Sequence, residues 1–132
     1  MTLSVDLAGS GGDCRFSSCG WARLLALAER FGWEPAGTVP PQYVDGTPFY
    51  TDWHGGYTSN DAQLVTDDDA RNLAAVLEAI LPDIPRHDAA ADKGVLLRGS
   101  RLVPLEWFSG SDNRELLGEF IRMAKAGGFQ IF

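Results

Sequence analysis

Residues 66–85 read TDDDARNLAAVLEAILPDIP, and this stretch carries the clearest structural signals in the chain. Thr66 is an N-cap whose hydroxyl is placed to accept from the backbone N–H of Asp69, while Asp67, Asp68 and Asp69 face the positive end of the helix dipole. Ala70, Leu73, Ala74, Leu77, Ile80 and Leu81 recur on one face, which is the stripe of an amphipathic helix laid against a core. Pro82 and Pro85 end the helix because proline has no amide hydrogen to continue the ladder. Successive helical side chains point about 100° apart, so three adjacent carboxylates cannot converge on one cation. Helix capping accounts for them; the alternative is an exposed acidic knob that meets a basic partner.

Upstream of this helix, Leu3, Val5 and Leu7 alternate with Ser4 and Asp6 at the period of a half-buried strand. Residues 8–13, with three glycines and a serine, supply turn chemistry. A helix is expected next, capped by Ser17 or Ser18, with Trp21, Leu24, Leu25, Ala28 and Phe31 on its apolar face and Gly32 as its stop. Downstream, residues 86–94 form a polar connection. Val95–Leu97 and Leu102–Leu105 read as two short strands, with Pro104 confining the second to an edge. A third helix starts near Asp112, with Glu115 three residues later as in a capping box, and buries Leu116, Leu117, Phe120, Ile121 and Ala124. Gly127 and Gly128 close it. The chain ends in Phe129-Gln130-Ile131-Phe132, an apolar segment that has to be tied down. Pairing it with the first strand gives the expected fold: one α+β domain, with a small, mostly antiparallel sheet and about three helices covering one face.

With 132 residues and 45% hydrophobic content, one core is expected and no second domain. A net charge of −7 repels phosphate backbones and anionic membranes, which argues against direct nucleic-acid binding. Apolar runs such as Leu24–Ala28 reach only five residues, far short of the roughly 20 that span a bilayer. Met1-Thr2-Leu3 does not begin a signal peptide, so the expected compartment is the cytoplasm. Cys14 and Cys19 are the only cysteines and are read as two reduced thiols, with no disulfide or metal role.

Between Pro35 and Tyr57 lies a long segment with four prolines, four glycines, five aromatics and no helical or strand period. Compact domains rarely keep so long a connection unless it binds something or covers a core. Tyr43, Tyr50, Trp53 and Tyr57, beside Asp45, Asp52, Asn60 and Asp61, have the chemistry of a recognition surface. Flat rings next to carboxylates stack on sugars, or they anchor a protein within an acidic rim. Trp53 either packs the segment onto the body or stands out as an anchor. Trp21 is read as core and Trp33 as a plug between loop and core.

Other groups carry weaker signals. His54, with Asp52 or Asp61 to orient it and Cys14, Cys19 or Ser59 as nucleophile, has the residue types for general-base catalysis, but no spacing joins them. His87 is read as exposed. A zinc site from Cys14, Cys19, His54 and His87 would need long, unconstrained intervals. Ser10-Gly11-Gly12-Asp13 lacks the ending of a phosphate loop and is read as a turn.

The chain resembles a group of small uncharacterised bacterial proteins that share Trp-x-x-Leu-Leu-x-Leu-Ala before Gly-Trp-x-Pro-x-Gly, here Trp21–Ala28 and Gly32–Gly37. The likeness continues through Gly56-Tyr57, Asn60, Gln63, Val65, Asp69-Ala70, Leu73-Ala74, Leu77-Glu78 and residues 81–85. It implies a shared fold and transfers no activity and no catalytic residue.

These observations lead to one expectation: a non-enzymatic, acidic protein-binding module without cofactor or metal, whose site is Tyr43, Asp45, Asp52, Trp53, Tyr57 and Asp61. An inhibitor or immunity-type protein fits, comparable in size and charge alone to small phage proteins such as anti-CRISPR proteins. Its partner would be a protein with a basic, nucleic-acid-binding surface. Two alternatives stand beside it: a small-molecule or glycan site on the 43–61 loop, hydrolytic if His54 acts, and a structural homo-oligomer subunit.

Overall fold

The computed structural model describes residues 4–84, 94–97, 101–104 and 111–132, with the two central segments described by their backbone. Strand β1 (Ser4–Gly9) turns through Ser10 and Gly11 into β2 (Gly12–Ser17), which feeds directly into helix α1 (Ser18–Arg30). A long connection leads to β3 (Gln63–Val65) and helix α2 (Asp67–Ile80), followed by a single 3-10 turn at Leu81–Asp83. Strands β4 (Gly94–Leu97) and β5 (Arg101–Pro104) form an antiparallel hairpin of their own. Helix α3 (Ser111–Ala126) and strand β6 (Phe129–Ile131) complete the chain.

The main sheet has the order β2-β1-β6-β3, and every pairing in it is antiparallel. The last strand lies beside the first, as expected, with Leu7 opposite Ile131, and Asp6 and Phe132 exchange backbone hydrogen bonds just beyond. Alternation decides which face is covered. Val5, Leu7, Cys14, Phe16, Val65, Phe129 and Ile131 point into the core with the apolar stripes of the three helices. Ala8, Asp13, Arg15 and Leu64 remain exposed, and Arg15 pairs with Asp6 across the open face. At the centre, Trp21, Phe120 and Phe129 meet edge to face, with ring centroids 5.6–6.1 Å apart. Burying each such ring stabilises the fold by roughly 1.5–3 kcal/mol.

The helix signals translate directly. Ser17, rather than Ser18, caps α1 and accepts from Gly20 N at 3.0 Å; Thr66 caps α2 and accepts from Asp69 N. Helix α3 begins at Ser111, which puts Asp112 inside its first turn rather than at a cap. Carbonyls of the 3-10 turn after α2 are satisfied by Arg114 of α3, which donates to Leu81 O and Ile84 O. Gly127 has φ +149°, and a Cβ at Gly128 would strike the carbonyl of Val65, so the turn into β6 passes hard against the start of α2.

Two strands correct the sequence reading. The expected turn at 8–13 shrinks to Ser10-Gly11, with Ala8 and Gly9 in β1 and Gly12 and Asp13 in β2. Its period of two, Cys14 and Phe16 in and Asp13 and Arg15 out, is masked by the glycines before it and the helix cap after it. Strand β3 is too short for any period to show. Leu3, Pro85, the connection at 86–93 with His87, the turn at 98–100, Leu105 and Trp107 lie outside the described residues. No helix among the described residues is long and apolar enough to cross a membrane.

Candidate interaction surface

The connection between α1 and β3 divides into a clamped base and a projecting hairpin. Its base is held by buried polar atoms. Asp69, on the first turn of α2 and 1% exposed, accepts from Trp33 Nε1 at 3.1 Å and from the Tyr57 hydroxyl at 2.5 Å. That hydroxyl in turn accepts from Gly37 N. Trp21 Nε1 donates to Tyr57 O, and Thr38 Oγ1 donates to Gly56 O. Gln63 is fully buried; its Nε2 donates to Ser59 O and Gly56 O, and its Oε1 accepts from Asp61 N. The bonds to Asp69 satisfy the buried Trp33 and Tyr57 donors, and the others pair backbone groups that an irregular segment would otherwise leave unsatisfied in the interior. Val39 adds a bridge to the sheet, exchanging 2.8 Å backbone bonds with Leu64.

Burial and the adjacent Asp69 carboxylate both push the Tyr57 hydroxyl well above the ordinary phenol pKa. Its ring stacks edge to face on Trp33. Trp53 sits at the boundary, half-buried, with Nε1 donating to Thr38 O at 3.0 Å and its ring stacked on Tyr50 at 5.6 Å.

Beyond Pro40 the chain turns outward. Tyr43 N donates to Thr47 O, Gly46 N to Tyr43 O, and Phe49 N to Pro41 O, which closes a small β-hairpin over residues 41–49. Gly46 takes φ +88°, where a side chain would be strained, and Asp45 Oδ1 accepts from Thr47 N at 2.9 Å. That backbone hydrogen bond holds the Asp45 carboxyl below the usual carboxylate range, so it keeps its charge. The hairpin carries apolar groups into solvent: Tyr43 is 59% exposed, Phe49 50%, and Val44 at the tip is fully open. The Tyr43 and Phe49 rings rest on each other at 4.3 Å.

Of the residues expected to form a site, Tyr43 and Asp45 lie on this hairpin. Asp52, Trp53 and Asp61 lie at its root, with the Tyr50 hydroxyl 3.4 Å from Asp61 Oδ1. Tyr57 turns inward, into the Asp69 network. Val44 and Phe49 join the exposed surface although sequence patterning did not single them out as contacts. The signal for them was Asp45-Gly46, a turn dipeptide between Val44 and Thr47. The sequence places Asp69 in a helix cap, and only the tertiary fold makes it the hub of the base.

The catalytic residue types do not assemble. His54 is exposed and, among the described residues, makes no side-chain hydrogen bond, while Ser59 Oγ accepts from Gln63. Cys14 is buried in the sheet, and Cys19 is exposed on α1; both are free thiols. Burial first, then Glu119 and Asp13, raises the Cys14 thiol above its ordinary pKa, which disfavours the reactive thiolate. Among the described residues no three His, Cys, Asp or Glu side chains converge on a metal position. A cleft of about 230 Å³ lies between β2, the start of α1 and α3, lined by Arg15, Phe16, Ser17, Asn113, Leu116 and Leu117. No residue of the α1–β3 connection lines it.

In comparisons with protein-family models, curated proteins and solved structures, nothing matches this chain.

Proposed function

We propose that the protein is a non-enzymatic protein-binding module of the inhibitor or immunity type, which engages a basic surface of a partner protein through its α1–β3 connection. The observation that carries this reading is the hairpin at residues 41–49, whose exposed aromatic pair shares a braced turn with the carboxylate of Asp45. Aromatic anchors in a charged rim are how small domains grip partners. From Gly32 to Asp69 there is no lysine or arginine, and Asp45 on the hairpin with Asp52 and Asp61 at its root gives the charge that would guide association. A partner surface that itself binds nucleic acid has the complementary sign. Two free thiols fit a reducing, cytoplasmic setting.

Affinity purification from native cells, followed by titration of the purified partner at rising salt, tests the reading. The expected result is one protein retained in stoichiometric amount, with affinity that falls as ionic strength rises. Retention of no protein, or an affinity indifferent to salt, would overturn it. The stacked Tyr50–Trp53 pair beside Asp61 favours a second reading, a saccharide platform, which predicts binding of soluble oligosaccharides in calorimetry. The protruding hairpin weighs against that reading, because small ligands are held in concave sites.

A further inference from the structure

We infer that the hairpin at residues 41–49 enters its partner as a plug of side chains, Val44 leading and Tyr43 and Phe49 behind it, and that the receiving site is an apolar cleft rimmed by lysine and arginine. The inference rests on the reading that the partner is a protein, and it goes further by fixing the mode of contact.

Two modes are open to an exposed hairpin. It can add a strand to a partner's sheet, with backbone amides supplying affinity, or it can present its side chains. Strand addition needs a donor at every second residue along an outer edge. This hairpin has almost none to give. Pro41 and Pro48 lack an amide hydrogen; Tyr43, Gly46 and Phe49 donate to carbonyls within the hairpin; Thr47 donates to Asp45. Gln42 keeps the remaining strand amide, and two residues before it stands Pro40. Prolines placed this way block edge-to-edge pairing.

What the hairpin does offer is shape and apolar surface held ready. The turn is fixed by Gly46 and by the Asp45–Thr47 bond, and the two rings support each other at 4.3 Å. A plug that is ordered before binding loses little freedom on docking. Its tip residue, Val44, has no contact to cover it, which costs the free protein solubility unless another surface receives it. Asp45 sits beside Val44 with its charge secured, and Asp52 and Asp61 stand at the root. The rim of the receiving cleft is therefore cationic, and its floor apolar.

The test uses the full-length chain and the purified protein recovered by the affinity purification described above, with association and dissociation followed separately. Tyr43→Ala, Val44→Ala and Phe49→Ala are expected to weaken binding mainly through faster dissociation, with the strongest of the three losing about 30-fold or more. Asp45→Asn keeps the oxygen that accepts from Thr47 and removes the charge, so it should slow association several-fold and flatten the salt dependence, with dissociation unchanged. Pro48→Ala restores an outward amide and is expected to leave affinity within about twofold, since side chains carry the contact. Circular dichroism and tryptophan fluorescence confirm that each variant is folded. If the partner binds all three alanine variants within about twofold of wild type, the plug is overturned and the protein-binding reading survives. Tightening by Pro48→Ala points to strand addition and also overturns it. Association with a second copy of this chain alone, or with no protein, overturns both.

Discussion

The base of the α1–β3 connection and the hairpin that rises from it share one composition of prolines, glycines and aromatic rings, yet their polar atoms are treated in opposite ways. In the base, the indoles of Trp21, Trp33 and Trp53 and the Tyr57 hydroxyl each find a partner at or beneath the surface. In the hairpin, among the described residues, the Tyr43 and Phe49 rings find only each other, and Val44 stands fully exposed. A ring with a satisfied polar handle is structural cladding; a ring without one, held out on a braced turn, is surface made for contact. Counting aromatics along a loop cannot separate the two.

Several substitutions can break or sharpen that contrast. Asp69→Ala should be the most damaging, because it strands the Trp33 and Tyr57 donors in the interior. A loss of about 3–5 kcal/mol in urea denaturation is expected. If Asp69→Ala unfolds with a wild-type midpoint, the base is not clamped through α2. Gln63→Ala removes the acceptor of Asp61 N and the donor to Ser59 O, and should cost about 2–3 kcal/mol by the same measurement. Trp53→Ala, at the boundary, is expected to lose about 1–2 kcal/mol, since its ring is only half-buried.

Tyr57→Phe should cost about 1–2 kcal/mol near neutral pH, and it adds a pH signature. The folded-state pKa of Tyr57 is raised above that of an unfolded tyrosine, about 10. The stabilisation this brings is complete below that value and is lost as pH climbs through the higher folded-state pKa. Thermal melts from pH 9 upward should thus fall more steeply for wild type than for Tyr57→Phe, and parallel curves would show that the hydroxyl is not sealed in the base. The smallest effects belong to the hairpin. Tyr43→Ala and Phe49→Ala should shift stability by no more than about 0.5 kcal/mol each, because both rings are already in water. A larger loss would mean that the hairpin helps hold the fold.

Legibility in the sequence followed the range of the interactions. The caps of α1 and α2, the stripe from Ala70 to Ile80 and the glycine stop at Gly32 are set by neighbours within one or two turns, and each is where the sequence placed it. Strand β2 was hidden because a few residues of alternation cannot outweigh the glycine run beside them. The hairpin was announced only by Asp45-Gly46, which sets a turn and says nothing of exposure.

Sequence by itself determined the three helices, the α+β class and the pairing of the terminal strands, because apolar periodicity and the need to bury Phe129 and Ile131 leave few arrangements. Tertiary structure alone decided that Asp69 is a buried hub rather than a surface cap, that Tyr57 faces inward, and that Tyr43, Val44 and Phe49 face out. The reason is distance along the chain. Trp33 and Asp69, or Tyr57 and Gly37, meet only after the sheet and α2 have brought them together, and no local pattern records an encounter between residues so far apart.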